Sequence, residues 1–261
     1  MSGWTVTRLG AALGARVEGV DLATVDTDDL VRLEALLEQH HVLAVPGQAR
    51  LTVEDHVRIG EHFGDPLIHP FIDPVAEHPA ILEVRKEPAD ETTFGGEHWH
   101  CDISFMNPPA AVSILHGIEI PRCGGDTLFA NQVLALERLS EPLRSLIGSL
   151  TATHVYPDRA EGPDTAAAHP VVRRHPGSGA ESLYVNPAFV DRIDDLTRPE
   201  SDALLALLFD HQIRPEFQLR LSWEPGQVVL WDNRTTLHYA MNDRVETRRR
   251  LQRVTAMERA R

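Results

Sequence analysis

Lysine is nearly absent from this 261-residue chain: of its 25 basic residues only Lys86 is a lysine, and the rest are arginines, a bias we ascribe mostly to the composition of the source genome. Acidic residues number 39 and leave a formal net charge of −14, which argues against nucleic acid or an anionic membrane as the main partner. Cysteine is almost as scarce. Cys101 and Cys123 are too few for a disulfide framework. The residues after Met1 contain no apolar signal core, and no run approaches the ~18 apolar residues of a membrane span, so the expected address is the cytoplasm. Ser/Gly linkers, low-complexity tracts and internal repeats are also missing, and residues 1–261 are expected to form one domain.

Against this background, residues 94 to 105 stand out, above all His100-Cys101-Asp102. In an extended segment Trp99 to Phe105, the imidazole of His100 and the carboxylate of Asp102 project to the same side. One imidazole and one carboxylate are two-thirds of a metal site. A second imidazole would complete the 2-His-1-carboxylate face that leaves positions of an octahedral Fe(II) open, and His238, in Trp231-Asp232-Asn233-Arg234-Thr235-Thr236-Leu237-His238-Tyr239, is the candidate. His98 could share the face of His100, but a fourth protein ligand would fill a position needed by reactants. Cys101 should face away, and Trp99 and Trp231 read as core. Asn233 and Arg234 are candidates to buttress the loop that aims His238.

Local patterns predict the elements around this stretch. Trp4 to Leu9 alternates like a strand and precedes a turn-rich segment, Gly10 to Gly19. Thr27 is placed to cap a helix with Leu30, Leu33, Leu36 and Leu37 on one stripe. Thr52 and Asp55 predict a capping box for a second helix that stops at Gly64. Strands are expected at Val42 to Val45, Ile81 to Arg85, Ala111 to Ile120 and Asp126 to Ala130, after the Cys123-Gly124-Gly125 turn. Leu134 to Leu150 should be helical with a break at Ser140-Glu141-Pro142. Thr151 to His169 is Pro-, Asp- and Ala-rich and is expected to be an irregular lid. A hairpin around Gly177-Ser178-Gly179, a helix over Pro199 to His211, and strands at Phe217 to Trp223, Val228 to Trp231 and Arg248 to Met257 complete the pattern. The fold class is mainly β with helical insertions: a double-stranded β-helix, or jelly roll, with an N-terminal α/β cover. On the last strand Arg249, Leu251 and Arg253 share one face, with the two arginines roughly 13 Å apart.

These residues resemble the taurine dioxygenase and 2,4-dichlorophenoxyacetate dioxygenase family of Fe(II)/2-oxoglutarate-dependent oxygenases. The matching motifs run through nearly the whole chain: Gly64 to His69, Trp99-His100-x-Asp102 with Phe105, Gly124-Gly125-Asp126-Thr127-Leu128, His169-Pro170-Val171-Val172-Arg173, Val185-Asn186, Trp231 to Arg234 leading to His238-Tyr239-Ala240, and Arg248-Arg249 followed by Arg253. The resemblance implies that His100, Asp102 and His238 bind Fe(II), that Thr127 and Arg249 hold the distal carboxylate of the co-substrate 2-oxoglutarate, and that His69 and Arg253 grip the anionic head of a small-molecule substrate, with Phe189 as an aromatic wall. It implies O2 as a reactant and a homo-oligomer.

The chain departs from taurine dioxygenase where that enzyme places a tyrosine and an asparagine near the substrate's amino end; Ile72 and Gly96 stand there. An amine needs acceptors that these two residues lack, so an apolar body behind an anionic head, as in an alkyl sulfonate or alkyl sulfate, fits better, with an aryloxyalkanoate or other carboxylate as the alternative. From a different class, His98-x-His100-x-Asp102 also reads as the start of a zinc hydrolase site, although Ile103 stands where such sites carry another histidine. That alternative leaves Arg249, Arg253 and Thr127 unexplained. A jelly roll that only binds, without catalysis, is a third possibility, opposed by the retention of all three candidate ligands.

Overall fold

Val228–Asp232 is buried at every position, Val228 through Trp231 being apolar, because its strand is covered on both faces. Side chains alternate along it. Val228 and Leu230 join a cluster with Leu30, Leu33, Leu37 and Ile59 of two N-terminal helices, while Val229 and Trp231 join Phe129, Leu219, Leu221 and Leu251 on the other side. This strand thus lies between a helical cover and a second sheet. The computed structural model describes residues 3–92, 98–157, 165–243 and 247–259.

Among the described residues the larger sheet has eight strands. Val228–Asp232 pairs with Val42–Val45 and Ala110–Glu119, and Arg249–Met257 pairs with Ala110–Glu119 and Leu82–Lys86. Facing it, Thr127–Asn131 lies between Gln218–Leu221 and Thr236–Ala240, all antiparallel. The two sheets enclose the second cluster, giving the expected mainly β jelly roll. Helices Thr27–His40 and Val53–Phe63 form the N-terminal cover. The first is capped by Asp26, which accepts the Asp29 N–H at 2.9 Å, rather than by Thr27, which is the first helical residue. The second carries the expected Thr52–Asp55 capping box and ends at Gly64, where a Cβ would lie 2.0 Å from the Met257 carbonyl oxygen.

A third cluster packs Gln132–Glu137, Glu141–Ile147 and Arg198–Gln212 over Thr151–Val155 and Val190–Ile193, through Ala135, Ile147, Leu205 and Leu208 against Ala152 and Ile193.

Three further expectations need correction. Gly10 to Gly19 is not only turn, since Ala15–Glu18 pairs with Thr5–Arg8. Thr151 to His169 is not an irregular lid: Thr151–Val155 and Ala166–Pro170 pair antiparallel, and residues 158–164 lie outside the described residues. Between Trp99 and Phe105 only His100 pairs in a sheet-like way, and Asp102 to Phe105 form a turn. Its pivot is Ile103, whose φ of 54° is left-handed. That conformation costs a β-branched residue about 1–2 kcal/mol, so the surrounding packing must impose it.

Candidate active site

His238 sits on Thr236–Ala240, and its backbone fixes the position of His100. The His100 N–H donates to the His238 carbonyl at 3.0 Å, and the His238 N–H donates back at 2.8 Å. The ring centroids are consequently 4.1 Å apart. The turn after Cys101 brings Asp102 beneath them, so that its Oδ1 lies 3.9 Å from the Nε2 of each ring. One ligand atom from each of the three residues lies within 4.8 Å of the others. That is too far for direct hydrogen bonds and suitable for a shared cation.

Polar groups behind the site set which atoms point inward. The Nδ1 of His100 donates to the His98 carbonyl at 2.8 Å, which leaves the Nε2 lone pair for a metal. The side chain of His98 is exposed, so it contributes a carbonyl and not a ligand. Ser113 Oγ donates to Asp102 Oδ2 at 2.6 Å, and Asn233 Nδ2 donates to Ser113 Oγ at 2.9 Å. The Asn233 Oδ1 accepts the Asp102 N–H and the Trp231 Nε1–H, both at 3.0 Å. With Oδ2 thus engaged, Oδ1 is the oxygen presented to the histidines. Asn233 therefore braces Asp102 rather than the loop of His238; Arg234 binds Asp232, which also bonds His175. Trp231 is more than core, since it packs 4.7 Å from the His238 ring and lines the central cavity.

Electrostatics favour a neutral–neutral–anionic donor set. Burial pushes His100 below its ordinary value and His238 well below it, so both rings are neutral. Burial alone would raise Asp102, but the Arg253 guanidinium above all, with the Ser113 hydrogen bond, holds it well below the usual carboxylate range. Arg253 Nη1 donates to Asp102 Oδ1 at 2.9 Å.

The cavity next to the triad is walled by Val84, Leu115 and Ala240 and reached by Thr127 and Arg249. Arg249 is buried, its Nε has no hydrogen-bond partner, and among the described residues it forms no ion pair. Burial pulls it down to about 10, offset in part by Asp126. A guanidinium in such a place calls for an anion. Gly125 makes room for it, as a Cβ there would lie 2.7 Å from Arg249 Cδ, and its φ of +73° independently favours glycine. Thr127 Oγ accepts from Trp223 Nε1 at 3.0 Å, which leaves its own O–H to donate. Two neutral imidazoles with a carboxylate suit Fe(II), and a buried arginine that stacks over Trp223 and has no ion pair among the described residues, with a hydroxyl donor and across an apolar channel, suits the far end of a dicarboxylate.

The comparisons agree with this geometry. The family model "Taurine catabolism dioxygenase TauD, TfdA family" matches residues 5–255. The chain belongs to that family. An alkylsulfatase from Acinetobacter baylyi is 31% identical over 268 residues, covering 95% of this chain and 83% of the relative. An alpha-ketoglutarate-dependent sulfate ester dioxygenase from Pseudomonas putida is 33% identical over 263 residues, covering 93% and 86%. The crystal structure of a taurine dioxygenase from Burkholderia xenovorans superposes with a TM-score of 0.85 at 37% identity, covering 98% of this chain and 90% of that one. This TauD/TfdA protein is an Fe(II)- and 2-oxoglutarate-dependent dioxygenase, an oxidoreductase that also consumes O2.

Near the triad of this dioxygenase, His69 is buried and lies within electrostatic reach of Arg253 and Asp102; burial first, then Arg253, lower it to about 4. Its Nδ1 accepts the Phe71 N–H at 3.1 Å, which makes Nε2 the protonated nitrogen. A circuit of rings runs from there: His69–Phe71 6.0 Å, Phe71–Tyr156 4.9 Å, Tyr156–Phe105 4.8 Å, Phe105–Phe189 5.0 Å and Phe189–His100 6.1 Å. Phe189 is where the resemblance implies an aromatic wall. Ile72 is half-buried, and its neighbour Phe71 supplies the packing; Gly96 lies outside the described residues. Ser113, Trp223, Phe71 and Tyr156 were not singled out from the sequence. Ser113 left one trace, a lone hydroxyl in the otherwise apolar run Ala110 to Leu115.

Proposed function

We propose that this dioxygenase hydroxylates a small organic anion with an apolar body, an alkyl sulfate or alkyl sulfonate, in the cytoplasm, with residues 1–261 acting as one catalytic unit. The circuit of rings from His69 to His100 carries this proposal, because it sets an apolar wall beside two anion-directed groups and offers Tyr156 as its single hydroxyl. A reducing compartment suits both a ferrous site and two free cysteines. The net charge of −14 favours no nucleic-acid or membrane partner.

His100, Asp102 and His238 hold Fe(II), and Arg249 and Thr127 bind the distal carboxylate of 2-oxoglutarate by charge-assisted hydrogen bonds. Bound iron and 2-oxoglutarate supply the oxidising power: one oxygen atom of O2 ends in succinate as CO2 leaves, and the other enters a substrate C–H bond. Neutral His69 donates through Nε2–H to the anionic head, and Arg253 provides charge beside it. The rings of Phe71, Phe105, Tyr156 and Phe189 exclude water and aim the carbon next to the head at the triad. Hydroxylation of a carbon bearing sulfate or sulfonate gives a product that collapses to an aldehyde, releasing inorganic sulfate by C–O cleavage or sulfite by C–S cleavage, together with a proton.

The same ring wall suits the aryl group of an aryloxyalkanoate, which is the second proposal. Succinate release across alkyl sulfates, alkyl sulfonates, aryloxyalkanoates and taurine separates the two. We expect medium-length alkyl sulfates or sulfonates to exceed taurine by at least about tenfold, the low end of what unmet polar groups cost. Preference for taurine would overturn the proposal.

A further inference from the structure

Val185-Asn186 matches the family and has no part in the chemistry above, yet Asn186 is fully buried and uses both ends of its amide. Its Nδ2 donates to Ser104 Oγ at 3.1 Å and to Cys101 Sγ at 3.5 Å. Its Oδ1 accepts the N–H of Phe189 at 2.9 Å. Cys101 precedes Asp102 by one residue and Ser104 follows it by two, so a single amide grips side chains on both sides of the carboxylate. His154 Nδ1 also contacts Ser104 Oγ, at 2.9 Å.

This grip bears on a segment that has reason to relax. Ile103, between Asp102 and Ser104, holds a left-handed backbone that a β-branched residue disfavours. Its side chain is buried in the cluster that includes Phe105 and on which Phe71, Tyr156 and Phe189 pack. The turn and the ring wall therefore meet twice, through Ile103 by packing and through Asn186 by hydrogen bonds.

We infer that Asn186 is a positioning residue, which ties the Phe189 wall to the Asp102 turn so that substrate pocket and metal ligand keep one geometry. It acts through Ser104, Cys101 and the Phe189 backbone and does not touch the metal. Ser113 and Asn233 brace the carboxylate and backbone N–H of Asp102 itself; Asn186 grips the side chains of Cys101 and Ser104 on either side of it. This inference rests on Asp102 being an iron ligand and Phe189 a pocket wall.

The test uses the full chain with Asn186→Ala and with Ser104→Ala, which removes only the hydroxyl shared by Asn186 and His154. Three quantities are read: Co(II) affinity by chelator competition, the visible charge-transfer band with Fe(II) and 2-oxoglutarate under anaerobic conditions, and the unfolding midpoint of metal-free protein. We expect Asn186→Ala to weaken Co(II) binding about tenfold, at the low end of what supporting partners contribute, and to move the band. Ser104→Ala should change both in the same direction by a smaller factor. Co(II) affinities within twofold of wild type and unmoved bands in both variants would overturn the inference, whatever happens to the unfolding midpoint, because a packing role alone predicts that result. If Asn186→Ala does not fold, Ser104→Ala decides by the same criterion. A wild type without a band would instead overturn the ligand assignment, and the inference with it.

Discussion

Arg253 Nη1 donates at 2.9 Å to the Oδ1 of Asp102, the carboxylate oxygen that His100 and His238 both face. Four residues earlier on the same strand, Arg249 is buried with no ion pair among the described residues. One strand thus presents two guanidiniums to the same cavity in different settings, one paired with the carboxylate of the triad and the other buried without an ion pair among the described residues.

The two arginines should separate kinetically. Arg249→Ala loses charge-assisted hydrogen bonds of about 1.5–3 kcal/mol, so 2-oxoglutarate affinity should fall roughly 10- to 150-fold. Arg253→Ala should raise the KM for the prime substrate while 2-oxoglutarate affinity changes less than about threefold. Equal losses of both ligands in both variants would show that the division of labour is wrong.

Gly125→Ala tests the packing beneath Arg249. The new methyl meets Arg249 Cδ at 2.7 Å and the backbone φ of +73° resists a side chain, so the guanidinium must shift. We expect about a tenfold loss in 2-oxoglutarate affinity, on the scale of one misplaced charged hydrogen bond, with metal affinity unchanged.

Ser113→Ala removes the 2.6 Å hydrogen bond to Asp102 Oδ2. Metal affinity should drop 10- to 100-fold, roughly the range for partners that orient a ligand. Asn233→Ala breaks the same chain of bonds, so the double variant should lose clearly less than the sum of the two single losses. Full additivity in a chelator-competition assay would mean that the two act separately.

How much of this was legible in the sequence varies with how local its cause is. The shared face of Arg249, Leu251 and Arg253, and the Thr52–Asp55 capping box, follow from spacing alone, whereas the burial of that arginine face does not, because spacing cannot say which face of a strand is covered. The turn at Asp102 did not, because its pivot Ile103 is a strand-favouring residue forced into a left-handed conformation by packing from Phe105 and its neighbours. Ser113 acts through Asp102 and Asn233, 11 and 120 residues away, and Trp223 through Thr127, 96 residues away, and no local pattern records such contacts. The strand Thr151–Val155 was hidden by the Pro, Asp and Ala content of the residues after it.

Stability should depend on pH through a histidine remote from the triad. His56, in the helix Val53–Phe63, is fully buried with Nε2 bonded to the Ile114 carbonyl at 3.0 Å. Burial lowers it to about 3 against the Ile114 hydrogen bond, and His116 adds to the lowering. Between about 3 and 6.5 the unfolded chain takes up a proton that the folded chain refuses, so this contribution is complete above pH 6.5 and is lost as pH falls. From pH 7.5 to 5.5 the wild type should lose about 1.4 kcal/mol more than His56→Gln in urea unfolding. An equal loss in both proteins would remove His56 as the cause.

The most direct test of the account is anaerobic titration of the metal-free protein with Fe(II) in the presence of 2-oxoglutarate, followed by its visible charge-transfer band. The wild type should develop the band with one equivalent of iron, and Asp102→Ala should develop none. A band of equal strength in Asp102→Ala would contradict the assignment of His100, Asp102 and His238 as the iron ligands.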